Sequence, residues 1–430
     1  MLYEKLYITS PAAQIVLSVA IMMLSGFLAT RITKMLRLPN VTAYLLVGVL
    51  LGPFCLDAIP NNVVDGTDFL SDIALAFISF ATGEFFKLSA LRKNGAKVIV
   101  ITVMEACLAF ALVFFAMTAL HVDFALAVVL AALAAATAPA STLMTIRQTH
   151  AKGGFVDTLL QVIALDNVVS LFAYSVAISV AIAAVSGTAI SPSDVFLPIL
   201  KNIGAMLIGA LFGGIMCLLI RKKRSDDNRL IISVALLLAF CGICTVVDIS
   251  PLLGCMSMGM VYTNMAHDDK LFKQLNYFSP PFLLLFFVRS GLSFDLSALF
   301  AVGRTGGVSL FVVGLVYFAV RILGKYAGTF LGGVVTRSGR TVQRLLGLAL
   351  IPQAGVSIGL ATLGARTLGG EMGSALVTVI LASGFLYELV GPVCAKLALY
   401  LSGAYSKKKA LPPVSEEESA FSEAAQEHTA

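Results

Sequence analysis

Two short stretches interrupt apolar runs of this sequence: ATAPAS at residues 136–141 and IPQAGVS at residues 351–357. Each lies inside an otherwise apolar run that is long enough to cross a membrane. Proline removes a backbone N–H and frees a carbonyl, so each stretch predicts a broken helix. In hydrocarbon the freed groups must find partners within the protein. The predicted crossing of the two breaks consists of Ala138, Pro139, Pro352, Gln353 and Gly355.

The composition around these breaks indicates a membrane protein. The 430 residues are 58% hydrophobic and 13% charged, and the mean hydropathy is +0.93. A soluble domain carries about 25% charged residues. Apolar runs of about 20 residues recur from Ala12 to the end of the 390s. We therefore expect an all-α polytopic membrane protein over residues 1–401 and a disordered cytoplasmic tail over the Pro- and Glu-containing residues 402–430.

Polar residues, Pro and Gly divide the apolar part into thirteen candidate spans, at about 12–32, 41–56, 67–87, 95–119, 123–146, 155–186, 193–220, 230–247, 251–265, 279–296, 307–335, 342–366 and 373–402. Lys and Arg concentrate in cytoplasmic loops. Twenty-two of them follow odd-numbered spans, whereas three lie on the opposite side. This alternation predicts thirteen transmembrane helices in the inner cell membrane, with the N-terminus outside and the C-terminus cytoplasmic. The net charge of +6 then reflects topology and not nucleic-acid binding.

The positions of the two breaks predict an inverted repeat. If thirteen spans divide as six, one linker and six, the fifth span corresponds to the twelfth, and both are interrupted. Paired interruptions of this kind point to a transporter binding site. Inversion about an axis in the membrane plane would bring the breaks together, so that half-helix ends face a cation with carbonyls and an anion with N–H groups.

Ionisable residues near the middle of the spans are the other informative feature. Each costs about 2.5–3.5 kcal/mol at a helix centre on insertion scales, so each marks an ion path, an ion pair or a gate. Helix packing without a transport role is the alternative for Lys325 and Glu388. The full set is Glu105, Asp166, Arg289, Arg321, Lys325 and Glu388.

Enzymatic motifs are absent from the sequence. The single CxxC, from Cys241 to Cys244, lies within an apolar run and has no His or second CxxC near it. Small residues of this kind pack between membrane helices. No metal cluster, catalytic triad or Gly-rich nucleotide loop is visible. We therefore expect a protein that is not an enzyme and needs no cofactor.

Three further fragments carry a resemblance to a known family: RLPNVTAYLLVGVLLGP at 37–53, ATGEFFKL at 81–88 and FFVRSGLSFDL at 286–296. In this order and at these intervals they resemble the monovalent cation:proton antiporter superfamily, as a bacterial membrane domain of the Na+/H+ exchanger type without a regulatory nucleotide-binding domain. The resemblance spans about residues 30–400. It implies core transport helices at about 95–186 and 307–402, dimer or scaffold helices at about 12–87 and 230–296, a linker helix at about 193–220, and a homodimer.

The resemblance also implies the site. Thr137-Ala138-Pro139 resembles the family's unwound Thr-x-Pro, and Asp166 the carboxylate that binds Na+ or K+ and H+ in turn. The family commonly has an Asp-Asp, Asn-Asp or Gln-Asp pair, so either Leu165 replaces its first member or Asn167 its second. The expected cation and proton ligands are Asp166, Asn167, Thr137 and Ser141.

Arg321 matches the family's basic position in the helix before the second break. An arginine side chain does not deprotonate, so it is expected to pair with a carboxylate. Glu105, in the inverted counterpart of that helix, is the expected partner. The sequence thus predicts an intramembrane ion pair between Glu105 and Arg321.

Competition at Asp166 gives the expected mechanism. Burial favours the protonated carboxyl, a bound cation displaces the proton, and only the neutralised form crosses the barrier cheaply. One acid predicts electroneutral one-for-one exchange, a role in ion transport and pH homeostasis. The alternatives are a sodium-coupled organic-anion symporter on a related crossed-helix fold and a non-transporting membrane sensor.

Overall fold

The computed structural model describes residues 10–35, 40–187, 191–220, 225–247, 249–266, 270–295, 297, 299, 308–353 and 355–405. Over these ranges the protein is all helical, and the predicted tail beyond residue 405 lies outside them. The seventeen helices that they contain are α1 Pro11–Met35, α2 Asn40–Leu51, α3 Asn61–Gly66, α4 Asp68–Gly83, α5 Leu88–Ala119, α6 Phe124–Ala134, α7 Pro139–Thr149, α8 Gly154–Val185, α9 Pro192–Leu219, α10 Asp226–Val246, α11 Leu252–Ala266, α12 Lys270–Phe278, α13 Pro280–Leu292, α14 Leu310–Val335, α15 Arg340–Ala349, α16 Gly355–Leu368 and α17 Gly370–Leu401.

Seven of the described helices are long and apolar enough to cross a membrane: α1, α5, α8, α9, α10, α14 and α17. Large apolar side chains are exposed along them, such as Phe196, Leu207 and Leu218 on α9. Such surfaces fit lipid and not water. The chain is therefore a multi-pass membrane protein. Each of the thirteen predicted spans overlaps at least one of the seventeen helices. The membrane crossing of all thirteen, with their inverted repeat, stays a prediction.

Two local signals set where several helices begin. Asp123 caps α6, because its side chain accepts a hydrogen bond of 2.9 Å from the backbone N–H of Ala125. Gly153 and Gly369 precede α8 and α17 with φ angles of 114° and 64°. This backbone region is open to glycine and strained for other residues. The two helices that carry Asp166 and Glu388 therefore start from sharp glycine turns.

Helix α12 departs from the sequence analysis, which placed residues 266–278 in a loop. Its apolar residues Leu271, Phe272 and Leu275 recur at helical spacing and are buried. The ring of Phe272 stacks on Phe80 at 5.2 Å between centroids. Its nine residues are too few to cross the hydrocarbon, so the span pattern did not include it.

Both predicted breaks are present in the structure. The chain leaves helical geometry between α6 and α7, and again between α15 and α16. The two unwound segments touch, since the backbone N–H of Ala138 donates to the carbonyl of Pro352 at 2.9 Å. Pro139 is the first residue of α7, where its missing N–H removes no helical hydrogen bond. Helix α6 is buried on all sides, which places the crossing at the centre of the protein.

Helix α14 packs closely along α5, and glycines make this approach possible. A Cβ atom placed on Gly324, Gly328 or Gly332 would lie 2.5–2.8 Å from a Cα atom of α5. Such small residues let membrane helices approach backbone to backbone. The contact brings the buried polar residues of α14 opposite Glu105 of α5.

We expect Gly328→Ala to lower the melting temperature of the detergent-solubilised protein, because the added methyl group would lie 2.5 Å from the Cα of Glu105. The expected cost of overpacking is about 1–3 kcal/mol. Gly314→Ala on the same helix is the matched control, since its Cβ would meet other atoms only at 3.6 Å and beyond. An equal response of the two variants to heating would contradict the close packing of α5 against α14.

Candidate ion-binding site at the helix crossing

Asp166 lies in the middle of α8 and is fully buried. Its Oδ2 atom accepts hydrogen bonds from the Thr137 hydroxyl at 2.5 Å and from the Lys325 ammonium at 2.9 Å. Its Oδ1 atom has no hydrogen-bond partner among the residues that the structure describes. A buried oxygen without a partner is costly unless a ligand satisfies it.

Lys325 of α14 joins two carboxylates. Its Nζ atom forms ion pairs with Glu105 of α5 and Asp166 of α8, and all three side chains are fully buried. The same atom donates to the carbonyl of Ala135 at 2.6 Å and to the Thr137 hydroxyl at 2.8 Å. We call Glu105, Lys325 and Asp166 the buried triad. With both carboxylates ionised, the triad carries a net charge of −1.

The predicted ion pair between Glu105 and Arg321 is wrong. Glu105 pairs with Lys325, one helical turn beyond Arg321 on the same face of α14. For Lys325, helix packing was one interpretation of the sequence. Lys325 follows Arg321 by four residues, which places both side chains on one face of a helix. This spacing could have indicated that both point towards the crossing.

Arg321 binds the broken backbone instead. Its guanidinium donates to the carbonyls of Ala134 at 2.9 Å, Ala136 at 2.6 Å and Ile351 at 2.8 Å. Ala134 ends α6, whereas Ala136 and Ile351 lie two residues beyond the C-terminal ends of α6 and α15. The helix dipole concentrates negative charge near such ends. Arg321 binds these carbonyls and not Glu105 because its planar guanidinium can donate to three diverging acceptors at once.

Two tyrosines and a glutamine complete this side of the crossing. The Arg321 guanidinium lies 4.7 Å from the ring centre of Tyr387, at the distance of a cation–π contact. Gln353 donates from Nε2 to the carbonyl of Leu133 at 2.8 Å and to the Tyr317 hydroxyl at 3.0 Å. Gln353 therefore satisfies the broken backbone at the predicted crossing. Tyr317 and Tyr387 had no signal in the sequence beyond being polar aromatics in apolar spans.

The remaining predicted ligands separate into two places. Thr137 contacts Asp166, as described above, whereas the Ser141 hydroxyl donates to Oε1 of Glu388 on α17 at 3.4 Å. Asn167 is buried next to Asp166 in the chain, and its Nδ2 atom donates to the carbonyl of Ile163 at 3.3 Å. The Oδ1 atom of Asn167 has no partner within the described part of the chain.

The other predicted crossing residues lie at the second break. Pro352 packs against α17, where a Cβ atom on Gly391 would lie 2.9 Å from the Cα of Pro352. Gly355 starts α16, and its Cβ position lies 3.5 Å from Ile78 and Phe287. Among the described residues, no group of three or more His, Cys, Asp or Glu side chains could hold a metal ion.

The fold and this site define a multi-pass membrane protein with its polar centre at two touching, broken helices. The family model described as the transmembrane part of the sodium/hydrogen exchangers matches residues 19–392 of this sequence. The chain therefore belongs to the sodium/hydrogen exchanger family, which is part of the superfamily that the sequence fragments indicated. Proteins of this family are cation/proton transporters and not enzymes.

Solved structures agree with this fold. The sodium proton antiporter MjNhaP1 from Methanocaldococcus jannaschii, solved at pH 8, is similar with a TM-score of 0.72 and 18% sequence identity, over 91% of this chain and 99% of that chain. An electron-microscopy structure of the same antiporter gives a TM-score of 0.68 and 17% identity, over 91% and 98% of the two chains. No curated protein matches this sequence.

A double-mutant cycle tests the buried triad. We expect Lys325→Met to lower the melting temperature strongly, because Glu105 and Asp166 would then share a buried site without a cation. Breaking a buried pair costs about 3–5 kcal/mol. Adding Glu105→Gln should recover part of the loss, since it removes one of the two opposed charges.

The control cycle combines Glu105→Gln with Arg321→Met. These two changes should add within about 0.5 kcal/mol, since the two side chains share no contact. Additive effects of Glu105 with Lys325, together with strong coupling of Glu105 to Arg321, would restore the pair that the sequence predicted.

Proposed function

We propose that this chain exchanges a monovalent cation, Na+ or K+, for H+ across the cell membrane by alternating access, and that Asp166 binds the two ions in turn. The observation that carries the proposal is the partnerless Oδ1 atom of Asp166 in a buried site that has two carboxylates and one ammonium, and so a net charge of −1 when both carboxylates are ionised. Membership of the sodium/hydrogen exchanger family supports it.

The charge of the buried triad supplies the coupling. One proton on Asp166 brings the net charge of the triad to zero, and one bound Na+ or K+ does the same. The empty form keeps an uncompensated charge, which is costly in hydrocarbon. The helices that carry the site would therefore change access readily only with one ion or the other bound, which makes the exchange obligatory.

Glu105 explains how this exchange stays electroneutral. A cation bound at Asp166 competes with the Lys325 ammonium for the same carboxylate. In the triad, Lys325 retains its second carboxylate, Glu105, so it can remain charged after the cation binds. Only Asp166 then gains and loses a proton in the cycle, and the ratio is one proton for one cation.

The oxygens available to the cation are those of the side chains near Asp166. Thr137 contacts both Asp166 and Lys325, and the Oδ1 atom of Asn167 is buried without a described partner. Backbone carbonyls of unwound segments are common ligands of Na+ in transporters. Here those of Ala135 and Ala136 already accept from Lys325 and Arg321. The proposed ligand set is therefore the carboxylate with neutral side-chain oxygens.

The helix contacts support a division into two packed groups. Helices α5–α8 and α14–α17 pack mainly among themselves around the crossing, whereas α1, α2, α4, α11 and α13 form a second group. Helix α9 contacts both α8 and α11. We assign the first group to the transport core, the second to the dimer scaffold of a homodimer, and α9 to the linker. The Lys and Arg alternation places the N-terminus outside and the C-terminus in the cytoplasm of the inner cell membrane.

Replacing Asp166 with Asn should abolish exchange, since the amide keeps the shape of the side chain and removes the charge that both ions neutralise. The measurement is dye quenching in proteoliposomes, with Na+, K+ and Li+ supplied in turn, which also ranks the cations. Asp157→Asn is the matched control, because Asp157 lies in the exposed first turn of the same helix. Exchange at the wild-type rate in Asp166→Asn would remove the central claim.

Electrical recording on a supported bilayer tests the stoichiometry. We expect no sustained current from the wild-type protein under a Na+ or K+ gradient. Glu105→Gln should produce a current, because Lys325 would then lose the second carboxylate of the triad. Lys325 would have to release its proton whenever a cation occupies Asp166. A sustained wild-type current, or cation exchange by Glu105→Gln without current, contradicts the role given to Glu105.

A further inference from the structure

A third buried carboxylate, Glu388, has no role in the exchange described above. It lies in the middle of α17 and is 2% exposed. Its Oε1 atom accepts the long hydrogen bond from Ser141, whereas Oε2 has no hydrogen-bond partner among the described residues. A carboxylate that is buried to this degree requires something that neutralises it.

The two buried cations of the crossing do not supply that charge. Arg321 donates to three backbone carbonyls, and Lys325 is held by the triad. Helix α17 and the helices packed against it carry other titratable or charged groups. On α17 these are Glu371, Tyr387, Cys394, Lys396 and Tyr400; on its neighbours they are Tyr317 and Tyr326 of α14, Arg340 and Arg344 of α15, Arg366 of α16 and Tyr44 of α2. The side chain of Arg147 on α7 lies outside the described part.

None of the described groups forms an ion pair with Glu388. The arginines of α15 are exposed, and Arg366 pairs with Asp72 at 3.2 Å. The described contacts therefore leave an ionised Glu388 as surplus negative charge inside the membrane, which is a costly arrangement.

A proton fits this site better than a metal cation. The one described polar side-chain contact of Glu388 is the Ser141 hydroxyl, whereas a cation stripped of water needs several oxygens around it. A proton needs only the carboxylate oxygen to which it binds. We propose that Glu388 is a second proton-binding site of this protein, separate from Asp166, and that it carries a resident proton at neutral pH.

The resident proton has a consequence for transport, and this part rests on the proposed exchange. Glu388 lies on a helix that packs against both halves of the first broken helix, α6 and α7, and against α14. When alkaline conditions remove its proton, the core gains a charge that no described group compensates. Changes of access would then become slower, so Glu388 would act as a brake on exchange at alkaline pH.

Infrared spectroscopy of the full-length protein in lipid tests the site without relying on transport. A protonated carboxylic acid has a C=O stretching band that an ionised carboxylate lacks. At neutral pH we expect such a band in the wild type, its loss in Glu388→Gln, and its retention in Asp166→Asn and Glu105→Gln. Ser141→Ala should keep the band and shift its frequency, because the hydroxyl donor is removed.

The proposal is overturned if the wild type has no such band, or if Glu388→Gln retains every component of it. If Glu388→Gln does not fold, Glu388→Asp takes its place, and a band that stays at the wild-type frequency then overturns the proposal in the same way. Since the spectrum needs no exchange, failure of the proposed transport function leaves this result interpretable.

The pH profile of exchange tests the brake. The ratio of the exchange rate at alkaline pH to that at neutral pH should rise several-fold in Glu388→Gln. Ser383→Ala, a buried position on the same helix with its own backbone hydrogen bond, should keep the wild-type ratio. An unchanged ratio in Glu388→Gln would refute the brake.

Discussion

The fold depends on how the carbonyls freed by the two broken helices are satisfied. In the hydrocarbon interior an unpaired backbone group costs several kcal/mol, and no water is there to replace the missing partner. Arg321 and Lys325 supply the donors, from one face of α14, to carbonyls of both unwound segments. Two positive charges therefore stand at the crossing for a structural reason before any ion is transported.

Those two charges set the electrostatics of the site. Arg321 is matched by carbonyl dipoles at the C-terminal ends of α6 and α15, which need no countercharge of full size. Lys325 is matched by two carboxylates, one more than it neutralises. Oδ1 of Asp166 and both carboxylate oxygens of Glu105 have no hydrogen-bond partner in the described structure, and the proposed exchange assigns the surplus negative charge to Asp166. The same arrangement thus stabilises the broken helices and, under the proposed exchange, requires one cation or one proton to neutralise the site.

Much of the architecture could be predicted from the sequence, since helices in lipid follow simple rules of length and composition. Apolar runs located α1, α5, α8, α14 and α17 to within a few residues at most ends. Pro139 and Pro352 marked the breaks, because proline has no backbone N–H to donate to a helical hydrogen bond. The short helix α12 was missed since its signal is amphipathic and shorter than a membrane span.

The candidate site, like the fold, could be predicted from the sequence only in part. By itself the sequence determined that long apolar runs surround five ionisable residues, which predicts that these residues lie inside the membrane: Glu105, Asp166, Arg321, Lys325 and Glu388. Only the tertiary structure decided their partners. Arg321 and Lys325 are one helical turn apart, and Thr137 and Ser141 are also four residues apart in the sequence. Spacing therefore cannot tell which residue of each pair meets a given carboxylate. The close glycine contact of α14 with α5 and the unwinding after α6 fix that register, and both arise from packing between segments far apart in the chain.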